Sequence, residues 1–110
     1  MSSDYKIESD ENIVFIKGIL RLRSPSDYEP HFDPIKKLID TQPEVIINIK
    51  DLKQLNSSGV TSFARLILHA KKENTKITVL IDSDSYWQLN NLSCLTKLYE
   101  GVQLESNTKQ

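Results

Sequence analysis

The sequence predicts an α/β domain in which helices pack on a mixed, largely parallel sheet. Residues 44–49 and 76–81 are short apolar runs, which is the composition of strands covered on both faces. Between them, residues 58–73 repeat apolar side chains at helical spacing. This strand–helix–strand alternation implies right-handed crossovers between parallel strands.

The first half of the chain predicts two strands and a helix. Residues 5–8 alternate weakly, and residues 12–20 are rich in β-branched side chains, so the two can pair antiparallel at the sheet edge. Gly18 predicts a bulge in the second of these strands, or a close approach by another segment of backbone. The prolines of RSPSDYEP predict a loop, and residues 30–40 predict a short amphipathic helix. The apolar positions of that helix are Phe32, Ile35, Leu38 and Ile39.

The second half of the chain continues the alternation. The first buried strand leads through a loop, residues 50–55, into a helix that begins near Ser57. After the second buried strand, leucines three residues apart predict a helix over residues 83–99. Residues 102–104 form a short last strand, so the predicted order is β-β-α-β-α-β-α-β.

Composition limits the classes of protein to which the chain can belong. Its 110 residues suffice for a single domain, with an ordered core from about residue 5 to residue 105. A net charge of −1 gives no electrostatic footprint for nucleic acid. No apolar run approaches membrane-spanning length, and residues 1–12 lack the apolar core of a signal peptide. We therefore expect a soluble, cytoplasmic protein without a nucleic-acid or membrane partner.

Cysteine and histidine are scarce. Cys94 has no second cysteine with which to form an internal disulfide. One cysteine and two histidines are too few for a structural zinc site, so we expect neither a metal nor a cofactor. Cys94 lies among leucines in a helical pattern, where a buried thiol is the expectation.

The junction Asn56-Ser57-Ser58-Gly59 is the most informative stretch of the chain. Asn and Ser are preferred N-cap residues, because their side-chain oxygens accept the unpaired N–H groups of a helix. Capping does not explain a second hydroxyl, nor a glycine that weakens the first turn by about 1 kcal/mol relative to alanine. A helix N-terminus also accepts anions, so a phosphoryl group on one of these serines would be tolerated.

The helix that follows has two sides on a helical wheel. Its predicted sheet-facing side consists of Val60, Phe63, Ala64, Ile67 and Ala70. A polar stripe runs along the opposite side, with Leu66 and Leu68 on its flanks. This stripe consists of Ser58, Ser62, Arg65, His69 and Lys72. It is either a solvated face or a surface for a partner protein.

The element order and the segment VIINIKDLKQLNSSGVTSFARLI resemble the STAS domain of bacterial anti-sigma factor antagonists. That family places a buried strand, an Asp/Asn-Ser-Ser/Thr-Gly signature and an amphipathic helix in succession. FIKGILRL resembles its second strand, and Asp51 and Leu52 match the acidic and hydrophobic residues at its strand end. YWQLNNLSCL is similar to a subgroup of free-standing, mostly cyanobacterial regulators.

The resemblance implies a protein that binds its partner only when it is unphosphorylated. Ser57 matches the family's usual phosphoacceptor, with Ser58 as the alternative, because Asn56 replaces the Asp of many members. The implied partners are an anti-sigma factor that is itself a serine kinase of the histidine-kinase-like ATPase type, and a PP2C-type phosphatase. The expected partner surface consists of Asn56, Ser57, Ser58, Gly59, Ser62, Arg65 and His69.

Two other classes of function compete with this hypothesis. An enzyme with Ser57 or Ser58 as nucleophile lacks the Gly-x-Ser-x-Gly elbow, and nothing pairs either histidine with a carboxylate in sequence, so we expect no enzyme. A STAS-like sensor of a small ligand or nucleotide, without a phosphoswitch, is the alternative. It lacks a glycine-rich phosphate loop, since the chain has three widely separated glycines.

Overall fold

The computed structural model describes residues 4–106; residues 1–3 and 107–110, which belong to the ends expected beyond the ordered core of about residues 5–105, lie outside the described residues. It contains six strands, followed here in chain order by their bounds: β1 (Tyr5–Asp10), β2 (Ile13–Leu20), β3 (Glu44–Asn48), β4 (Leu52–Leu55), β5 (Lys76–Ile81) and β6 (Val102–Ser106). The helices are α1 (Pro25–Thr41), α2 (Ser57–Glu73) and α3 (Tyr86–Leu92), and a 3-10 helix, Ser93–Lys97, follows α3.

The strands form one mixed sheet, as predicted. Their order is β1-β2-β3-β5-β6, and β1 is antiparallel to β2 while the other pairs are parallel. α1 contacts α2 and β3, and α2 contacts β5. The α/β fold class with a largely parallel sheet is therefore confirmed. No helix in the described part of the chain combines the length and the apolar character needed to cross a membrane.

The predicted element order misses one strand. Residues 50–55 were expected to be a loop, but Leu52–Leu55 forms β4, which pairs in parallel with the second half of β2. The first half of β2 pairs with β3, so β3 and β4 are hydrogen-bonded to successive halves of β2. The register shifts at Gly18, which has a φ of 92° and lies so close to β1 that an added Cβ would meet Tyr5 Cα at 3.0 Å. The predicted bulge at Gly18 is confirmed.

The loop predicted around Pro25 and Pro30 was wrong, because α1 begins at Pro25 and continues through Pro30 and Pro34. Proline suits the first position of a helix, where its missing N–H has no intrahelical partner. Pro30 and Pro34 lie four residues apart on an exposed face. Water can therefore reach the carbonyls that these prolines leave unpaired. The opposite face of α1 buries Tyr28, Phe32, Ile35 and Ile39.

The core lies between the helices and one face of the sheet. On that face, Val14, Val45, Ile47 and Val79 are almost completely buried. The prediction that β3 and β5 are covered on both faces was wrong, since alternate residues such as Ile46 are only half-buried. The sheet therefore has helices on the first face and a half-exposed second face.

The last predicted helix divides into two short elements. α3 ends at Leu92 and continues as the 3-10 helix, in place of one helix over residues 83–99. Gln88 of α3 is fully buried; its Nε2 donates to the carbonyls of Ile49 (2.8 Å) and Leu52 (2.9 Å), and its Oε1 accepts from Asp82 N. Two of these hydrogen bonds fix α3 to the segment between the end of β3 and the start of β4, and the third fixes it to Asp82, directly after β5.

Candidate functional site

The junction between β4 and α2 is built around the side chain of Asn56. Its Oδ1 accepts from Gly59 N at 3.0 Å and caps α2, so Asn56 rather than a serine is the cap residue. The same oxygen accepts from the Tyr28 hydroxyl at 2.5 Å, and Nδ2 donates to the Leu22 carbonyl at 2.7 Å. The amide therefore uses both of its ends to join α2, α1 and the segment that follows β2.

The two serines of the junction have different surroundings. Ser57, the first residue of α2, is exposed, and its hydroxyl has no hydrogen-bond partner among the described residues. Ser58 is half-buried, and its Oγ donates to the Arg23 carbonyl at 3.3 Å. Because Asn56 already caps the helix, the hydroxyl of Ser57 is left accessible to a modifying enzyme.

Gly59 has a role within the fold rather than at a partner surface. It is buried, and an added Cβ would overlap the side chain of Leu55 and lie 2.8 Å from the Tyr28 hydroxyl oxygen. The expectation that Gly59 contributes to the partner surface was wrong, because its free side is filled by this chain's own residues. The glycine is required where α2 packs against β4 and α1.

The polar stripe of α2 is only partly open to solvent: Arg65 and Lys72 are exposed, whereas Ser62 and His69 are covered to different degrees. Ser62 is 5% exposed and donates to the Ser58 carbonyl, so its expected place on a solvated face was wrong. Arg65 lies 3.5 Å from Glu29 and remains 58% exposed, whereas His69 is 21% exposed and lies 2.7 Å from Asp40. Of the four stripe residues expected to contact a partner, which are Ser58, Ser62, Arg65 and His69, Arg65 alone is largely exposed.

The same packing explains the buried side of α2. Phe63, Ile67 and Ala70 are buried as predicted, whereas Val60 and Ala64 are only half-buried. Burial extends instead toward α1, where α2 also buries Leu66. The predicted face was displaced because a second helix, as well as the sheet, covers α2.

Ser57 borders a shallow cleft that the sequence did not predict. The cleft has a volume of about 690 Å³ and lies between the first turn of α2 and α3. Its exposed polar rim includes Thr61, Asn90 and Asn91, and Val60 contributes a half-buried apolar surface. The i, i+4 spacing of Ser57 and Thr61 places them on one helix face, but only the fold brings α3 beside them. A protein that docks over Ser57 would contact these residues.

Tyr28 is a second residue that the sequence did not identify, because it falls in the expected loop. It is fully buried, and its hydroxyl accepts from Leu22 N at 3.2 Å and can donate to Asn56 Oδ1 or to the Leu20 carbonyl. Burial raises the pKa of Tyr28, and the hydrogen bond from the Leu22 backbone partly opposes this. Tyr28 thus stays neutral and holds the Asn56 cap in place.

A cavity of about 310 Å³ lies between α1 and α2. Tyr28, Phe32 and Leu66 contribute apolar surface to it. Its cationic lining residues are Lys36, Arg65 and Lys72, against the single carboxylate of Glu29. The cavity can therefore accept a small apolar molecule that carries a negative charge.

Cys94 differs from its expected environment. It was predicted to be buried among leucines, but it is exposed, and its Sγ lies 3.5 Å from the Asn91 carbonyl. The short 3-10 helix turns this residue outward, and Leu95 is buried instead.

Neither a protein-family model nor a curated protein matches this chain. An α/β fold serves many functions, so the function has to be argued from the site itself. The most distinctive local arrangement is an exposed serine that directly follows a cap residue whose amide oxygen and nitrogen both form hydrogen bonds, at the start of a 17-residue helix.

Proposed function

We propose that this chain is a phosphorylation-switched regulatory binding protein, an anti-sigma factor antagonist of the STAS type. Unphosphorylated Ser57 allows it to bind an anti-sigma serine kinase of the histidine-kinase-like ATPase type. That kinase phosphorylates Ser57, and a PP2C-type phosphatase removes the phosphate. The chain itself is not an enzyme, and it acts in the cytoplasm.

The observation that carries this proposal is the difference between the two serines. Ser57 is exposed and its hydroxyl is free among the described residues, whereas the Ser58 hydroxyl is hydrogen-bonded to Arg23 and half-buried. A kinase must reach the acceptor oxygen, so accessibility favours Ser57 over Ser58. Asn56 stands where many STAS domains have Asp. This difference does not weaken the argument, because Asn56 also supplies the oxygen that caps the helix.

The electrostatics of the junction favour a phosphate that leaves the fold intact. α2 has no acidic residue in its first turn, and its N-terminus carries a partial positive charge. A phosphate there adds about −1.5 to −2 charges. Because Ser57 is exposed, this charge would be added at the surface and would not disturb the core.

The same charge would act strongly on a docked partner. A protein that covers the cleft beside Ser57 removes water from the phosphate, and an unpaired buried charge costs several kcal/mol. Each 1.4 kcal/mol corresponds to about a tenfold change in affinity. Phosphorylation is therefore expected to release the partner while the domain remains folded.

The proposal is tested by immobilising the chain and identifying the ATPase-domain protein that it retains from a bacterial lysate. The wild type and Ser57→Ala are expected to retain it, and Ser57→Asp is expected to lose it. Ser9→Asp is the matched control, because Ser9 is an exposed residue of β1 and carries the same added charge away from α2. Circular dichroism must show that all variants are folded. Equal retention by Ser57→Asp and Ser9→Asp would contradict the proposal.

The cavity between α1 and α2 favours a second candidate, a sensor of a small ligand without a phosphoswitch. Its apolar surface and cationic lining suit an anionic molecule with an apolar part. Thermal melting with a panel of such molecules and of nucleotides tests this candidate, because a ligand of the folded state raises the melting temperature. A ligand-dependent shift combined with no phosphorylation of Ser57 would favour the sensor.

A further inference from the structure

Three metal-ligating side chains meet where α1 and α2 end. Asp40 is the penultimate residue of α1, and His69 and Glu73 lie one turn apart near the end of α2. One ligand atom from each lies within 4.8 Å of the other two. His69 Nε2 is 2.7 Å from Asp40 Oδ1, so two of the three ligands are already in contact.

The position of the two carboxylates is electrostatically unfavourable in the absence of a cation. A helix C-terminus carries a partial negative charge, which disfavours acidic side chains in the last turn. Asp40 and Glu73 both occupy last turns; the last turn of α1 has no basic residue, whereas that of α2 contains Lys71 and Lys72. Among the described residues, no lysine or arginine forms an ion pair with either carboxylate. The carboxylates of Asp40 and Glu73 therefore lie at two helix C-termini, beside the imidazole of His69.

We propose that Asp40, His69 and Glu73 bind a divalent transition-metal ion of the zinc class. An imidazole with two carboxylates suits Zn²⁺, whereas Mg²⁺ and Ca²⁺ prefer ligand sets made entirely of oxygen. The expectation of no metal site considered only cysteine and histidine, and the carboxylates complete a set that these two residue types could not. The i, i+4 spacing of His69 and Glu73 places both on one face of α2.

The geometry requires only small side-chain movements. Zinc ligands lie at about 2.0–2.2 Å from the metal, so two ligands on a tetrahedral ion are roughly 3.4 Å apart. The His69–Asp40 separation would open from 2.7 Å, and Glu73 would approach. Asp40 is 48% exposed, which leaves it room to move, and water can complete the coordination.

The bound ion would join the ends of α1 and α2. Ser57 lies at the other end of α2, twelve residues before His69, or about 18 Å along the helix axis. The metal site is therefore independent of the phosphoswitch, and either proposal can fail alone. A metal that binds the folded chain stabilises it in proportion to its occupancy.

The test is a calorimetric titration of the full chain with ZnCl₂ near neutral pH, followed by thermal melting. We expect one equivalent to bind and the melting temperature to rise. His69→Gln and Glu73→Gln should each weaken binding at least about tenfold and reduce the rise. His31→Gln is the matched control, because His31 is the only other histidine of the chain and contacts Tyr5 instead of a carboxylate.

A Cys94→Ser variant completes the experiment, because the exposed thiol is another zinc ligand. Binding that is unchanged in Cys94→Ser and His31→Gln but weakened in His69→Gln would support the site. Binding that survives His69→Gln, or that is lost in Cys94→Ser, would overturn it. The proposal would also be overturned if ZnCl₂ produced neither heat in the titration nor a rise in melting temperature. Binding of MgCl₂ as tight as that of ZnCl₂ would overturn it as well.

Discussion

The hydroxyl of Tyr28 donates to the Oδ1 of Asn56 over 2.5 Å, and so connects a buried residue of α1 to the cap of α2. The same amide oxygen accepts from Gly59 N, and the amide nitrogen donates to the Leu22 carbonyl. Ser57 follows directly after this connection. The exposed serine is therefore carried by a rigid first turn, whose position is fixed by contacts on the buried side of the helix.

Tyr28→Phe should destabilise the domain by about 1–3 kcal/mol, because it leaves buried backbone partners without the hydroxyl. The pKa of Tyr28 is raised by burial, so the folded state holds this proton more tightly than the unfolded state. Its contribution is thus complete below the unfolded pKa, about 10, and is lost as pH rises through the folded pKa. Urea unfolding at several alkaline pH values should show a steeper loss of stability in the wild type than in Tyr28→Phe. Parallel curves would contradict this assignment.

Asn56→Asp should also destabilise the domain, although aspartate is an equally good cap. The substitution replaces the Nδ2 donor to the Leu22 carbonyl with an oxygen, and a buried acceptor without its partner costs about 1–3 kcal/mol. The added charge at the helix N-terminus offsets about 0.3–1 kcal/mol. Urea unfolding measures the difference, and Asn91→Asp on the exposed surface of α3 is the control. A variant as stable as the wild type would mean that the Leu22 contact contributes little.

Gly59→Ala should cost about 1–3 kcal/mol through overpacking, despite the better helix propensity of alanine. The new Cβ would meet the Leu55 side chain and the Tyr28 hydroxyl, which is itself held by hydrogen bonds. Thr61→Ala, at an exposed position of the same helix, should change the free energy of unfolding by less than about 0.5 kcal/mol. A stabilised Gly59→Ala would show that the first turn of α2 can shift freely.

Phe63 and Arg65 test which side of α2 is buried. Phe63 is 1% exposed and its ring lies edge-to-face on Phe32, with 5.3 Å between centroids, so Phe63→Ala should cost about 3–5 kcal/mol. Arg65 is 58% exposed and its 3.5 Å pair with Glu29 is at the surface, so Arg65→Ala should cost less than about 1 kcal/mol. Thermal unfolding compares the two. Equal losses would contradict the packing of α2 against α1.

The sequence predicted the elements whose apolar pattern is strong and local. The bounds of β5 and the buried positions Phe32, Ile35 and Ile39 of α1 matched the prediction, because their side chains repeat at regular spacing. β4 was missed since its four residues become a strand only by pairing with β2 beyond the bulge at Gly18. The start of α1 was missed because Pro25 and Pro30 argue against a continuous helix, whereas Pro25 occupies its first position and Pro30 lies on its exposed face.

The candidate site was predictable in its chemistry but not in its surroundings. A cap by Asn or Ser and the hydroxyls of Ser57 and Ser58 follow from local sequence alone, but the choice of Asn56 as the cap residue does not. The contributions of Tyr28, Asn90 and Asn91 depend on how α1 and α3 pack beside α2, and no local pattern encodes that packing. The stripe on α2 was misjudged for the same reason.

The most direct test of the central claim is to map the phosphate by mass spectrometry. The chain is incubated with ATP and the kinase identified by retention, and Ser57→Ala and Ser58→Ala are treated in parallel. Because the Ser57 hydroxyl is exposed and the Ser58 hydroxyl is hydrogen-bonded, we expect phosphate on Ser57 in the wild type and in Ser58→Ala, and none in Ser57→Ala. Phosphate on Ser58, or no phosphate on either serine, would contradict the proposed switch.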